Sequence, residues 1–133
     1  MDADVRDIVE ECTKASDDGR ISFGEVVLKL REAGVERYHT DLIRAEKTYY
    51  MPDGESHFVA GAAIETIPAT AFSAAGVEAA VRSIQGGQIT YKEFCERIAA
   101  AGCVGYFVSL VGQRAVYYGR SGDFYVEPFP AAQ

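Results

Sequence analysis

The chain has no tryptophan, only three cysteines and four prolines in 133 residues, and it is short of positive charge. Thirteen lysines and arginines stand against twenty aspartates and glutamates, a net charge of -7. Binders of nucleic acid or anionic membrane neutralise phosphate with clustered cations, so this deficit argues against both partners. No apolar run approaches the roughly 20 residues that a membrane span requires. Met1-Asp2-Ala3-Asp4 lacks the basic and apolar regions of a secretory signal. Cys12, Cys95 and Cys103 form an odd set with neither a CxxC pair nor a disulfide framework. They read as reduced thiols, and the expected location is cytoplasmic. Walker, GxSxG, HExxH and GxGxxG motifs are missing, so nucleotide binding and common hydrolase chemistry have no sequence support. What is present is 48% hydrophobic and 25% charged, enough for one domain with a real core.

The chain repeats itself. Gly19-Arg20-Ile21-Ser22-Phe23 aligns with Gly87-Gln88-Ile89-Thr90-Tyr91, an offset of about 68 positions. The same offset, without gaps, sets Glu25 on Glu93, Ala33-Gly34 on Ala101-Gly102, Tyr38 on Tyr106, and Tyr49-Tyr50 on Tyr117-Tyr118. The expected organisation is a single domain of two copies, about 8–59 and about 76–127, joined by an Ala-rich linker at about 60–75.

Each copy reads alike. Val5, Ile8, Val9 and Cys12 recur at helical spacing, as do Val77, Ala80, Val81 and Ile84. Ser22-x-x-Glu25 and Thr90-x-x-Glu93 are capping boxes that open a second helix, and Gly34 and Gly102 close it. β-Branched and aromatic stretches follow: Val35 to Ile43, Glu46 to Met51 and Glu55 to Val59, then Cys103 to Val111, Arg114 to Gly119 and Asp123 to Glu127. Arg44-Ala45 and Gly112-Gln113 read as two-residue hairpin turns, and Asp53-Gly54 and Ser121-Gly122 as stronger ones. The fold class is α+β: an internally duplicated helix–helix–strand–strand–strand unit, antiparallel sheet with helices on one face. Pairing between the units, or a homodimer through sheet edges, would cover exposed strand edges. Pro128 to Gln133 reads as a disordered tail.

The strings YHTDLIRAEKTYYMPDGESH, AFSAAGVEAAVRSIQGGQITYKEF and AGCVGYFV, with the closing VEPFP, resemble the YbcV-like family of small bacterial proteins, some labelled phage envelope proteins. The resemblance runs over nearly the whole chain. It implies an uncharacterised function, and no catalytic residue can be carried over from it.

Strand alternation and the expected turns place a candidate site. They pair Ile43 with Glu46, Asp41 with Thr48, and His39 with Tyr50, and then Tyr50 with His57. His39, Tyr50 and His57 would lie side by side on one face, with Asp41 two residues along. Phe107, Tyr118 and Tyr125 take those places in the second copy, so the first copy is polar where the second is aromatic. Two imidazoles and a carboxylate suit a transition metal, with His39, Asp41 and His57 as ligands. Acid–base catalysis is another use, with His39 or His57 titrating, Asp41 orienting and Tyr50 donating a proton. A third is passive binding of a small polar ligand or a protein partner by His39, Asp41, Arg44, Glu46, Tyr50 and His57. Against all three stands a plain solvated sheet face.

A calcium loop ending at Glu25 fails, because Lys14 would occupy its first ligand position and Ser16 its third. Arg44, Glu46 and Lys47 read as a solvated turn, Tyr38, Tyr49, Tyr106 and Tyr117 as core, and the cysteines as structural. The expected protein is a non-enzymatic small-ligand or protein-interaction module without a cofactor, a metal-dependent or acid–base enzyme being the alternative.

Overall fold

The computed structural model describes residues 1–130. Helix α1 (Ala3–Asp17) begins where the Asp2 carboxylate caps the Val5 amide, and helix α2 (Phe23–Glu32) begins at the Ser22/Glu25 capping box. Strands β1 (Arg37–Asp41), β2 (Glu46–Tyr50) and β3 (Ser56–Ala60) follow. The same order then recurs as α3 (Ala74–Gln85), α4 (Tyr91–Ala100), β4 (Cys103–Ser109), β5 (Arg114–Gly119) and β6 (Phe124–Pro128). Thr90 and Glu93 form the second capping box. Gly34 (φ 86) and Gly102 (φ 92) each follow the C-cap in a left-handed conformation that favours glycine.

All six strands form one antiparallel sheet in the order β3-β2-β1-β4-β5-β6. The halves meet edge to edge at β1 and β4, which removes two of the four edges that separate three-stranded sheets would leave. Period-two alternation turns Tyr38, Tyr49, Tyr106, Val108 and Tyr117 toward the helices, where they meet Val9, Leu30, Val77 and Ile98 in a shared core. Tyr49 is 1% exposed, and its hydroxyl is satisfied by Thr13 Oγ1 at 2.8 Å. The expected core tyrosines are therefore core.

Two local expectations need correction. The turns at Arg44-Ala45 and Gly112-Gln113 are four-residue loops, Leu42 to Ala45 and Leu110 to Gln113, ending at Ala45 (φ 55) and Gln113 (φ 54). Asp41 Oδ1 accepts from the amides of Ile43 and Arg44, Ser109 Oγ accepts from Gly112, and Leu42 and Leu110 are buried. A side chain that closes the turn, plus a leucine drawn into the core, selects the longer loop. The linker is held against α4: the Glu96 carboxylate accepts from Glu65 and Thr66, and Ser73 N donates to Ala101 O. The tail expected from Pro128 begins inside β6. Phe129 N donates to Gln113 O, and its ring meets Phe23 edge-on at 5.3 Å. Residues 131–133 of that expectation lie outside the described residues.

Candidate functional site

The helices cover one face of the sheet and leave the other open. Register lays three rows of side chains across the open face. The central row runs Phe58, Thr48, His39, Phe107, Val116, Val126 from β3 to β6. Beside it lie Glu46, Asp41, Gly105, Tyr118 and Phe124, and on its other side Tyr50, Arg37, Ser109 and Arg114. Phe58 and Phe124 are each 64% exposed. The face is apolar along its middle, acidic on one flank and basic on the other.

The expected row of His39, Tyr50 and His57 does not form. With the longer loop, His39 pairs with Thr48 and Arg37 with Tyr50, a two-residue shift that keeps the face but changes the neighbours. At the next hairpin Tyr49, not Tyr50, opposes His57. That single-residue slip turns His57 to the helix side, where its Nε2 lies 2.9 Å from Glu10 Oε1. The two histidines thus occupy opposite faces of the sheet. Among the described residues no group of three or more His, Cys, Asp or Glu side chains could hold a metal ion. The His39–Asp41–His57 ligand set is therefore not assembled on one face, while His39 and Asp41 remain on the same face of β1. Tyr125, expected in one row with Phe107 and Tyr118, also lies on the helix side and donates to Glu127 at 2.7 Å.

His39 has a partner that sequence reasoning did not give it. Its Nε2 lies 2.6 Å from the Tyr118 hydroxyl, with the rings stacked at 6.0 Å. Tyr118 reaches β1 from β5 by crossing β4 at Gly105, where an added Cβ would stand 2.5 Å from the phenol oxygen. Burial lowers the His39 pKa below its usual 6.5, against an opposing pull from Asp41. Burial, and then Asp41, raises that of Tyr118. The imidazole is thus neutral near pH 7; as the stronger base, its Nε2 accepts from the phenol and the ring proton sits on Nδ1.

The remaining candidates are occupied locally. Asp41 closes its turn, Arg44 Nε donates to Glu46 at 2.7 Å, and the Arg37 guanidinium stands 4.0 Å over the Tyr50 ring. Cys12, Cys95 and Cys103 are buried and free, and burial pushes the last two thiols up to about 11. They are poor nucleophiles at neutral pH. The conspicuous omission is Lys47, read as part of a solvated turn but 6% exposed. Its signal was available: it sits two residues from core Tyr49 on the same strand and so shares its face.

Comparison with known proteins reaches the second run of elements. Residues 64–128 match the family model of a protein of unknown function (DUF1398). That stretch covers the end of the linker and α3 through β6. No curated protein matches the chain.

Proposed function

We propose that the protein is a non-enzymatic interaction module that docks a second copy of itself through the open sheet face. The supporting observation is the central row, with Phe107, Val116 and Val126 side by side, Phe58 at its far end beyond Thr48 and His39, and no helix over them. Exposed contiguous apolar surface rimmed by charge marks an interaction site. Charge selects the occupant. Turning a copy by half a revolution about an axis along the central row sets Asp41 over the partner's Arg37. The same rotation sets Tyr118 over the partner's Arg114. The face is self-complementary in that arrangement, as an isologous interface requires, and two such faces pack about 10 Å apart. The His39–Tyr118 hydrogen bond stays within each copy and keeps both of its atoms satisfied when the face is covered. A reducing cytoplasm, where the three buried thiols persist, belongs to the same reading.

Sedimentation velocity over a range of micromolar concentrations tests it. The expected result is a concentration-dependent dimer that Phe107→Glu and Val116→Glu each convert to monomer without changing the far-ultraviolet circular dichroism. A wild-type chain that stays monomeric across the range overturns self-docking.

A further inference from the structure

Lys47 lies on β2 directly opposite Thr40, on the side of the sheet facing the helices. Its Nζ stands 4.4 Å from the centre of the Tyr91 ring and 5.6 Å from that of Tyr38. No salt bridge reaches it among the described residues. An ammonium is costly to bury, so a lysine here needs an explanation in packing or in chemistry. Two features favour chemistry. The amine borders a cavity of about 30 Å³, of the order of one small group. The cavity opens beside exposed Ala62, Ala63 and Lys92. On its wall Thr40 Oγ1 is buried without a hydrogen-bond partner, a polar atom left for something that enters. The matching position of the second copy is Ala115, so the lysine is not something the architecture demands.

We propose that Lys47 is a carbonyl-reactive amine, which condenses with a small neutral aldehyde inside this cavity to form a Schiff base. The lone pair on Nζ attacks the carbonyl carbon, and the C=O π pair moves to oxygen. A proton passes from nitrogen to that oxygen to give a carbinolamine. The C–O bond then breaks, the hydroxyl leaves as water with a second proton from nitrogen, and C=N forms. The sum is amine plus aldehyde to imine plus water, with no redox partner. Burial lowers the Lys47 pKa, against weaker opposing pulls from Cys95, Asp17 and Cys12, and so enlarges the neutral fraction that attacks. Thr40 Oγ1 supplies a hydroxyl for the carbinolamine oxygen. The Tyr91 ring and Asp17 favour the cationic iminium once formed. Asp17 also lines the cavity and weighs against an anionic oxo acid, so a neutral aldehyde is preferred.

The proposal is independent of face-to-face docking, since the cavity lies on the other side of the sheet. Its test is reductive trapping of the whole chain near pH 7 with glycolaldehyde and cyanoborohydride, in parallel with pyruvate, read by peptide mass mapping. The exposed Lys14, Lys29 and Lys92 serve as internal references. The expected result is a mass gain of one aldehyde less water plus two hydrogens at Lys47, at a rate about tenfold or more above each reference. Pyruvate should label it more slowly than glycolaldehyde. Lys47→Met should abolish the fast label and leave the references unchanged. Labelling of Lys47 no faster than the exposed lysines overturns the proposal from the wild-type chain alone, whatever the variant does.

Discussion

His39 shows what a single residue does here. Its ring is held by Tyr118 and half-buried, which favours the neutral form. Because its pKa is lowered on folding, the unfolded chain takes up the proton first as pH falls. This contribution to stability is present above about pH 6.5 and is lost as pH falls through the lower folded value. The thermal midpoint should therefore drop between about pH 7.5 and about pH 5.5 by more in the wild type than in His39→Gln. Equal drops would show that other groups carry the acid sensitivity. In a nuclear magnetic resonance titration the His39 midpoint should lie below 6.5. The residue was legible from the sequence as a site candidate on the exposed phase of β1. Its partner was not, because Tyr118 is 79 positions away and the contact depends on Gly105 leaving room above β4.

Two helical pairs built from aligned segments pack differently, and small residues decide which is tight. A Cβ added at Gly76 on α3 would stand 2.9 Å from Ala101 Cβ, so α3 lies close against the end of α4. The aligned residue on α1 is Ile8, and between α1 and α2 a cavity of about 670 Å³ opens, lined by Ile8, Cys12, Ala15 and Ile21. Gly76→Ile should overpack the α3–α4 contact and destabilise the protein by about 1–3 kcal/mol, read by urea denaturation. A loss under about 0.5 kcal/mol would mean that α3 can shift freely away. The helices themselves were legible, because apolar spacing and capping boxes are local. The cavity was not, since the distance between two helices is set by side chains far apart in the chain.

At the scale of the molecule, the β1–β4 pairing makes the two α–α–β–β–β runs share one sheet and one core. Neither half can open without exposing apolar surface of the other, so unfolding should be a single cooperative event. Calorimetry should give one transition with calorimetric and van't Hoff enthalpies in agreement, and two resolved transitions would contradict this. Ile98, which is fully buried in that core, provides the matching substitution: Ile98→Ala should cost about 2–5 kcal/mol. It should move the whole transition rather than split it.

The sequence by itself determined the α+β class, the repeated order of elements, both capping boxes, the glycines that end α2 and α4, and the tyrosines of the core. Each depends on a period or a short motif that a few neighbouring residues specify. Tertiary structure decided the rest. Asp41 and Ser109 closing their own turns, with Leu42 and Leu110 drawn inward, lengthened two loops and shifted His39 from Tyr50 to Thr48. A slip of one residue at the next hairpin sent His57 to the opposite face. The strand period of two makes such a slip change every neighbour at once, while the local composition that predicts a strand stays the same.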